Sequence, residues 1–234
     1  MCKIGVFDSG IGGLTVLEHL KKALPKEDFI FYADSLNNPY GEKTDEELFD
    51  ITSNIVDYLS GRGCKIIVIA CNTATTRCIS YLRNKYPEIV FIGTEPAVKV
   101  ACDGNYHNTL VLATPATIQS ERLQILINDN KKKLNNVYLV PCFGLANAIE
   151  LEDTKRQEEI INNIYQLYKE AEIDAIVLGC THYPHIKDLI SKYFKNVALL
   201  DGGEGVARET KKQMEKHGLI TNKGTNDVEM IKTK

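Results

Sequence analysis

Short apolar runs rich in Val and Ile recur along the chain, and stretches of helical period separate them. An apolar run without alternation is typical of a strand that is buried on both faces, as in a parallel sheet. Eight such strands are predicted: Ile4–Phe7, Phe29–Ala33, Ile66–Ala70, Val90–Ile92, Leu110–Ala113, Val137–Val140, Ala175–Leu178 and Val197–Leu200. Strands that alternate with helices in this way favour an α/β fold with right-handed crossovers.

Three of the intervening stretches carry clear helix signals. The first is a leucine stripe over residues 14–24. The second begins at a capping box formed by Thr44 and Glu47 and ends at Gly61. The third is an apolar stripe over residues 160–168.

Two stretches of the sequence resemble each other. IVIACNTAT at residues 67–75 and IVLGCTHYP at 176–184 each contain an apolar run, a small residue, a cysteine and a polar pair. This repeat predicts two related halves, the first ending near residue 96. No Pro-, Gly- or Ser-rich linker separates them.

Composition excludes several classes of function. The chain has 234 residues, 44% of them hydrophobic, and 28 basic against 31 acidic residues give a net charge of −3. Charges of both signs are scattered, so no basic face is expected for nucleic acid or anionic lipid. No apolar run approaches the roughly 18 residues that span a bilayer, and the N-terminus enters a strand at once. We therefore expect a cytoplasmic protein with no nucleic-acid or membrane partner.

The seven cysteines include no C-x-x-C pair and are odd in number. Neither a disulfide framework nor a common zinc signature fits this arrangement, so no metal site is expected. Five of the cysteines are interpreted as small buried apolar residues: Cys2, Cys64, Cys78, Cys102 and Cys142. Cys71 and Cys180 differ because each follows a predicted strand.

Polar residues gather where the predicted strands end, which is where open α/β sheets bind ligands. Those after strands of the first half are Asp8 with Ser9 and Gly10–Gly13, Asp34 with Asn38–Gly41, and Cys71 with Asn72 and Thr73. Those of the second half are Thr114, Thr117, Cys180 with Thr181 and His182, and Asp201.

Two matched thiols suit acid–base chemistry at a carbon. The usual thiol pKa of about 8.5 makes both protonation states accessible near neutral pH. One thiolate could remove a proton from one face of a carbon while the other thiol protonates the opposite face, which inverts the centre. Each thiol needs a partner for its proton or charge, and Asp8 for Cys71 and His182 for Cys180 are the candidates.

Other interpretations remain open at this point. The glycine-rich DSGIGG turn could bind a phosphorylated ligand in a non-catalytic module, although the P-loop lysine is missing. A thiol-redox enzyme would require Cys71 and Cys180 to approach disulfide distance. Glu150, at the end of the predicted helix FGLANAIE, is by default an exposed helix residue.

Seven ordered motifs resemble those of the glutamate racemases, cofactor-independent enzymes of the aspartate/glutamate racemase superfamily. The motifs are FDSGIGGLTV, ADSLNNPYGEK, IACNTAT, GTEPA, LATPATIQS, LANAIE and LGCTHYP. The resemblance implies two pseudosymmetric α/β domains with parallel-type sheets and an active site in the cleft between them. The domains would comprise residues 1–96 with 208–234, and residues 97–207, because the chain after about Arg208 would return to the first domain.

The resemblance also implies roles for individual residues. Cys71 and Cys180 would be the catalytic acid–base pair, with Asp8, Glu150 and His182 as auxiliary groups. The residues expected to hold the amino acid are Asp8, Ser9, Pro39, Tyr40, Gly41, Asn72, Thr73, Thr114, Thr117, Thr181 and His182. The resemblance implies an isomerase that interconverts L- and D-glutamate without a cofactor. Such an enzyme would act as a homodimer and supply D-glutamate for peptidoglycan precursors. Aspartate or a related amino acid is the alternative substrate.

Overall fold

The computed structural model describes residues 3–130 and 136–233. One compact unit comprises the chain up to Thr94 together with the segment from Gly203 onward, and the other comprises Glu95–Gly202.

Nine strands lie within the described ranges. They are β1 Ile4–Asp8, β2 Phe29–Ala33, β3 Ile66–Ile69, β4 Val90–Gly93, β5 Asn108–Ala113, β6 Asn136–Pro141, β7 Ala175–Gly179, β8 Ala198–Leu200 and β9 Val228–Lys232. The first eight confirm the strands predicted from continuous apolar runs. Strand β9 was not predicted from the sequence.

The described residues contain ten α-helices. They are α1 Leu14–Ala23, α2 Asp45–Gly61, α3 Asn72–Lys85, α4 Val98–Asp103, α5 Pro115–Gln119, α6 Glu121–Asn130, α7 Leu145–Glu150, α8 Thr154–Tyr168, α9 Lys187–Tyr193 and α10 Gly203–Lys216. Short 3-10 turns occupy Ile11–Gly13, Ser35–Asn37, Tyr40–Glu42 and Tyr183–Ile186. The predicted capping box at α2 is present: the Glu47 N–H donates to Thr44 Oγ1 at 3.2 Å, and the Thr44 N–H donates to Glu47 Oε2 at 2.7 Å.

The first unit contains a five-stranded sheet in the order β4-β3-β1-β2-β9, with every neighbouring pair parallel. Helices α2 and α3 cover one face, and α1 and α10 cover the other. Burial on both faces is why the strands read as continuous apolar runs. Strand β9 differs because it lies at the sheet edge, where Met230 and Lys232 are exposed.

Helix α10 belongs to the first unit, where it packs against α1. The second domain boundary expected from the sequence, after residue 207, falls inside this helix. A helix packs as one body, so the structure places the boundary at its start, between Gly202 and Gly203. The return of the chain to the first domain, implied by the resemblance, is seen in both α10 and β9.

The second unit contains a four-stranded parallel sheet in the order β6-β5-β7-β8. Helices α7, α8 and α9 pack on one face, and α4 and α6 pack on the other.

Four of the cysteines expected in the core are buried. These are Cys64, Cys78, Cys102 and Cys142. Cys2, for which the same was expected, lies outside the described residues.

Candidate active site

The two matched cysteines occupy equivalent places in their own sheets. Cys71 lies just beyond β3 and caps α3, and Cys180 follows β7 directly and precedes the Tyr183–Ile186 turn. Each is nearly buried, with 6% and 7% of its surface exposed. Because the strands of each sheet are parallel, both thiols lie at the carboxyl edge, where α/β folds bind ligands.

The Cys71 sulfur lies where hydrogen-bond donors stabilise a negative charge. Its Sγ accepts from the Ala74 N–H at 3.5 Å in the first turn of α3, and the Ser9 Oγ lies 3.8 Å away. The N-terminus of a 14-residue helix adds the favourable end of its dipole. The Ala74 N–H and the helix N-terminus favour the thiolate, which is the form that removes a proton, whereas the thiol form donates to the Ser9 Oγ.

Asp8 is fully buried at the end of β1 and is held by its own turn. Its Oδ2 accepts from the backbone N–H groups of Gly10 at 3.3 Å and Gly13 at 3.0 Å. A Cβ at position 13 would lie 2.6 Å from the Asp8 Cβ, so this close approach requires glycine. The N–H groups of the DSGIGG turn therefore face a carboxylate of the chain itself, which disfavours a phosphate at the same place.

Tyr40 lies in the 3-10 turn Tyr40–Glu42 and has 1% of its surface exposed. Its hydroxyl donates to Asp34 Oδ2 at 2.8 Å. Burial, the Asp34 carboxylate, and the charges of Cys71 and Asp8 raise the pKa of the phenol well above its usual value of 10.0. Tyr40 is therefore neutral near neutral pH, and its proton is directed at Asp34.

Two other residues of this loop were expected to hold the ligand. Pro39 follows a cis peptide bond after Asn38 and directly precedes Tyr40. Gly41 is exposed, and a Cβ added there would meet nothing within 4 Å.

Asn72 and Thr73 begin α3 directly after Cys71, and both are buried. The Asn72 Oδ1 has no hydrogen-bond partner among the described residues. A buried carboxamide oxygen without a partner is costly, so this atom is suited to accept from a ligand's N–H or O–H group.

Around Cys180 the structure brings together three of the predicted residues in a line. The His182 Nδ1 lies 3.8 Å from the Cys180 Sγ, and the His182 Nε2 lies 2.7 Å from the Glu150 Oε2. A carboxylate accepts from Nε2–H, which leaves the Nδ1 lone pair facing the thiol. His182 is thereby oriented as a proton acceptor for Cys180.

Glu150 is not the exposed helix residue that its sequence position suggests by default. It ends α7, and its side chain is only 9% exposed beside that of His182, which is 2% exposed. Helix α7 packs against the Tyr183–Ile186 turn, which brings Glu150 and His182 together.

Thr114 and Thr117 form a small hydroxyl pair after β5. The Thr114 Oγ1 caps α5 by accepting from the Thr117 N–H at 3.2 Å, and the two hydroxyl oxygens are 3.0 Å apart. Because Ala113 pairs with Gly179 in the sheet, Thr114 and Cys180 leave neighbouring strands at the same edge. Thr181, next to Cys180, is 5% exposed.

Three residues near the thiols, Asp34, Cys142 and Tyr183, had no functional role predicted from the sequence. Asp34 was noted only as a residue at a strand end, yet it accepts from Tyr40. Cys142 and the fully buried Tyr183 lie in the same apolar cluster as Cys180. Burial and the charge on Cys180 raise the pKa of the Cys142 thiol to about 12, so Cys142 is not a second acid–base group. No local sequence pattern around Asp34, Cys142 or Tyr183 indicates their contacts.

The described ranges contain neither a metal-ion cluster nor a membrane-spanning helix. No cluster of three or more His, Cys, Asp or Glu side chains there is arranged to hold a metal ion. No helix in the same part of the chain is long and apolar enough to cross a membrane.

Comparison with known proteins decides the family. The model of the Asp/Glu/Hydantoin racemase family matches residues 4–210, which include every residue of the two cysteine sites. The chain belongs to the Asp/Glu/Hydantoin racemase family. Its racemase relatives include the glutamate racemase of Clostridium novyi (strain NT), which is 43% identical over 229 residues, or 95% of this chain and 85% of the relative.

Solved racemase structures share the fold. Glutamate racemase isoform RacE1 from Bacillus anthracis superposes with a TM-score of 0.85 at 29% identity, covering 100% of this chain and 89% of that one. Glutamate racemase from Francisella tularensis subsp. tularensis SCHU S4, in complex with D-glutamate, gives a TM-score of 0.83 at 28% identity, covering 100% and 88%. The two parallel sheets of the chain are thus an established racemase architecture.

Proposed function

We propose that the chain is a cofactor-independent glutamate racemase that interconverts L- and D-glutamate. The observation that carries this proposal is the matched placement of two buried cysteines, Cys71 and Cys180, each at the carboxyl edge of its own parallel sheet. The substrate is inferred from the relatives. Those named glutamate racemase align with most of this chain.

In the proposed reaction Cys71 and Cys180 act on one α-carbon. The thiolate of one cysteine removes the α-proton, and the bond electrons stay on the α-carbon in a carbanion-like state. The thiol of the other cysteine then delivers its proton to the opposite face. After one turnover the two cysteines have exchanged protonation states, which suits a reaction that runs in both directions.

The auxiliary groups divide between the two thiols. Near Cys71, the Ala74 N–H holds charge on the sulfur, the Ser9 Oγ accepts the thiol proton, and Asp8 supplies a buried carboxylate within the same site. Near Cys180, His182 shares the proton and Glu150 holds the imidazole in the required tautomer. The two sites therefore perform the same task by different electrostatic means.

The remaining predicted residues are proposed to bind the amino acid. The unpartnered Asn72 Oδ1 suits the α-ammonium group, which has N–H donors to share. The hydroxyls of Thr73, Thr114, Thr117 and Thr181 supply donors for carboxylates, together with the backbone N–H groups of Tyr40 and Gly41, while Pro39 offers only apolar contact. The Tyr40 hydroxyl is directed to Asp34, so we assign Tyr40 a backbone contact with the ligand.

A circular-dichroism time course from pure L-glutamate tests the proposal. Dialysed protein without added cofactor should drive the signal to zero, and D-glutamate should approach the same end point from the other sign. A signal that stays constant, or that decays only after a cofactor is added, would refute it. The Cys78→Ala variant serves as a control, because Cys78 is buried in α3 with a thiol pKa raised by burial to about 11.

Aspartate is the competing substrate, and the same assay separates the two. A pocket sized for glutamate should favour it over aspartate by about 10- to 200-fold in kcat/KM, which is the usual effect of one methylene. A ratio in favour of aspartate would reassign the substrate and leave the mechanism intact.

The same proposal extends to the cellular setting. We infer a cytoplasmic homodimer that supplies D-glutamate for peptidoglycan, in line with the implied role of such racemases. Analytical ultracentrifugation would test the dimer, and a sedimentation coefficient of a 26.2 kDa monomer at micromolar protein would contradict it.

A further inference from the structure

Asp34 is a buried carboxylate that gathers hydrogen bonds from the segment expected to bind substrate. It follows β2, and 2% of its surface is exposed. Its Oδ2 accepts from the Tyr40 hydroxyl at 2.8 Å, and the Asn37 Nδ2 lies within 3.1 Å of both carboxylate oxygens. We call residues 35–41, which carry Pro39–Gly41, the substrate loop. Asp34 therefore holds the middle of this loop through Asn37 and its end through Tyr40.

The third donor to Asp34 comes from the far end of the chain. The Thr233 hydroxyl donates to the Asp34 Oδ1 at 3.0 Å and accepts from the Leu36 N–H at 2.9 Å. The Thr233 N–H donates to the Ala33 carbonyl at 3.1 Å, which extends the pairing of β9 with β2 by one residue. One threonine thus bridges the edge strand and the substrate loop.

The substrate loop in turn lies beside a proposed catalytic group. Tyr40 and Cys71 belong to the same buried apolar cluster, and the phenol is close enough for the charges of Cys71 and Asp8 to raise its pKa. A change in the position of Tyr40 would therefore alter both the ligand-binding backbone and the surroundings of the thiol.

We propose that Thr233 is a positioning residue for the substrate loop and acts through Asp34 and Tyr40. The edge strand β9 then has a role beyond closing the sheet, because it holds the loop in its ligand-binding conformation. This inference rests on the proposed function for its kinetic consequence, but not for its structural one. Thr233 does not touch the reacting atoms, so its effect should fall on binding more than on proton transfer.

The test replaces Thr233 with valine, which keeps the shape and removes the hydroxyl. The KM for glutamate should rise about tenfold, the usual effect of losing a hydrogen bond to a charged group, while kcat changes less than about twofold. Hydrogen–deuterium exchange of peptides covering residues 35–41 should become faster without ligand. Thr233→Ser should restore both measurements, because serine keeps the hydroxyl.

A matched control is available in the same segment. The Thr225 hydroxyl donates to Asp227 Oδ2 at 2.6 Å and makes its bond within the C-terminal segment. Thr225→Val should leave KM and the exchange of residues 35–41 unchanged. Should Thr233→Val fail to fold, Asp34→Asn provides a second variant, since it weakens the same centre and should give the same two changes.

Several outcomes would overturn the proposal. One is a folded Thr233→Val protein with wild-type KM and wild-type exchange in the loop, even if its melting temperature falls. Another is an equal rise in KM for Thr225→Val. If wild-type protein does not racemise glutamate, the proposed function fails, and the exchange measurement alone still decides whether Thr233 holds the loop.

Discussion

The Nε2 atom of His182 lies 2.7 Å from the Oε2 atom of Glu150, and the side chains are only 2% and 9% exposed. The other ring nitrogen faces the Cys180 sulfur at 3.8 Å. The tautomer of an imidazole is fixed when the ring lies between a buried carboxylate and a nucleophilic or basic atom. Cys180 therefore has a proton acceptor whose orientation is set by Glu150.

The Glu150→Gln variant tests this orientation. A glutamine amide can donate to Nε2, which favours the tautomer with the proton on Nδ1 and removes the acceptor for Cys180. We expect kcat/KM to fall about 10²-fold, at the lower end of the range for a proton-transfer group. Because enantiomers have equal free energies, the fall must be the same in both directions.

Isotope effects locate the affected step. With α-deuterated substrates, the Glu150→Gln variant should show a larger primary isotope effect in the direction in which Cys180 removes the proton. Equal isotope effects in both directions would argue against a role specific to Cys180. Glu159→Gln is the matched control, because Glu159 is exposed on α8 and pairs with Arg156.

The two cysteines should be separately essential. Cys71→Ala and Cys180→Ala should each lower racemisation by about 10²- to 10⁴-fold, since each removes the proton carrier for one face. In deuterated water, wild-type product should carry deuterium at the α-carbon. Either alanine variant that still inverts glutamate at the wild-type rate would contradict the two-base mechanism. Cys78→Ala, which alters a buried thiol of α3, should retain activity.

Much of this architecture could be predicted from local sequence. Strands β1 to β8 are continuous apolar runs because helices cover both faces of each sheet. This burial requires apolar side chains at consecutive positions, so a short stretch of sequence is enough to predict each strand. The two cysteine sites were visible for a similar reason, since IACNTAT and LGCTHYP place strand end, thiol and polar partners side by side.

Features that depend on distant parts of the chain were not visible in the sequence. Strand β9 has charged residues at 229 and 232 and becomes a strand by pairing with β2. Glu150 is a polar residue at the end of a six-residue helix, and it is buried because it contacts His182. His182 is 32 positions away in the sequence, so no local pattern indicates this contact. The Thr233 contact with Asp34 spans 199 positions. No pattern within a short window encodes such pairings.

The space at Gly13 is as important as the side chain of Asp8. A Cβ at position 13 would lie 2.6 Å from the Asp8 Cβ and 3.1 Å from the Ala70 Cβ, and neither neighbour is a flexible end. Gly13→Ala should displace the Asp8 carboxylate, lower racemisation by at least about tenfold and destabilise the fold by about 1–3 kcal/mol. Kinetics and urea unfolding measure the two effects.

Gly61→Ala is the control for this substitution. Gly61 ends α2, and a Cβ there would meet nothing within 4 Å. Alanine has the higher helix propensity, so this variant should keep full activity with unchanged or slightly increased stability. A Gly13→Ala protein that behaves like Gly61→Ala would show that the close approach to Asp8 has no functional weight.

The buried thiols predict how stability depends on alkaline pH. Burial raises the pKa of Cys78 from 9.0 to about 11 and that of Cys142 from 9.0 to about 12. The folded state then keeps a proton that the unfolded state releases. The contribution of each buried thiol to the free energy of unfolding is fully present below pH 9.0. It is lost as the pH rises from 9.0 through the pKa of that thiol in the folded state. Each thiol should contribute a slope of about −1.4 kcal/mol per pH unit within its interval.

Urea unfolding between pH 8 and pH 11 measures this slope for wild type and for Cys142→Ala. The variant is expected to be less stable at pH 8, because it leaves a small cavity, but to lose stability less steeply as the pH rises. Val140→Ala supplies the comparison, since it removes apolar atoms from the same cluster without removing a titratable group. Its slope should equal that of wild type. If Cys142→Ala and Val140→Ala have parallel pH dependences, the Cys142 thiol does not carry the raised pKa and is not held protonated beside Cys180.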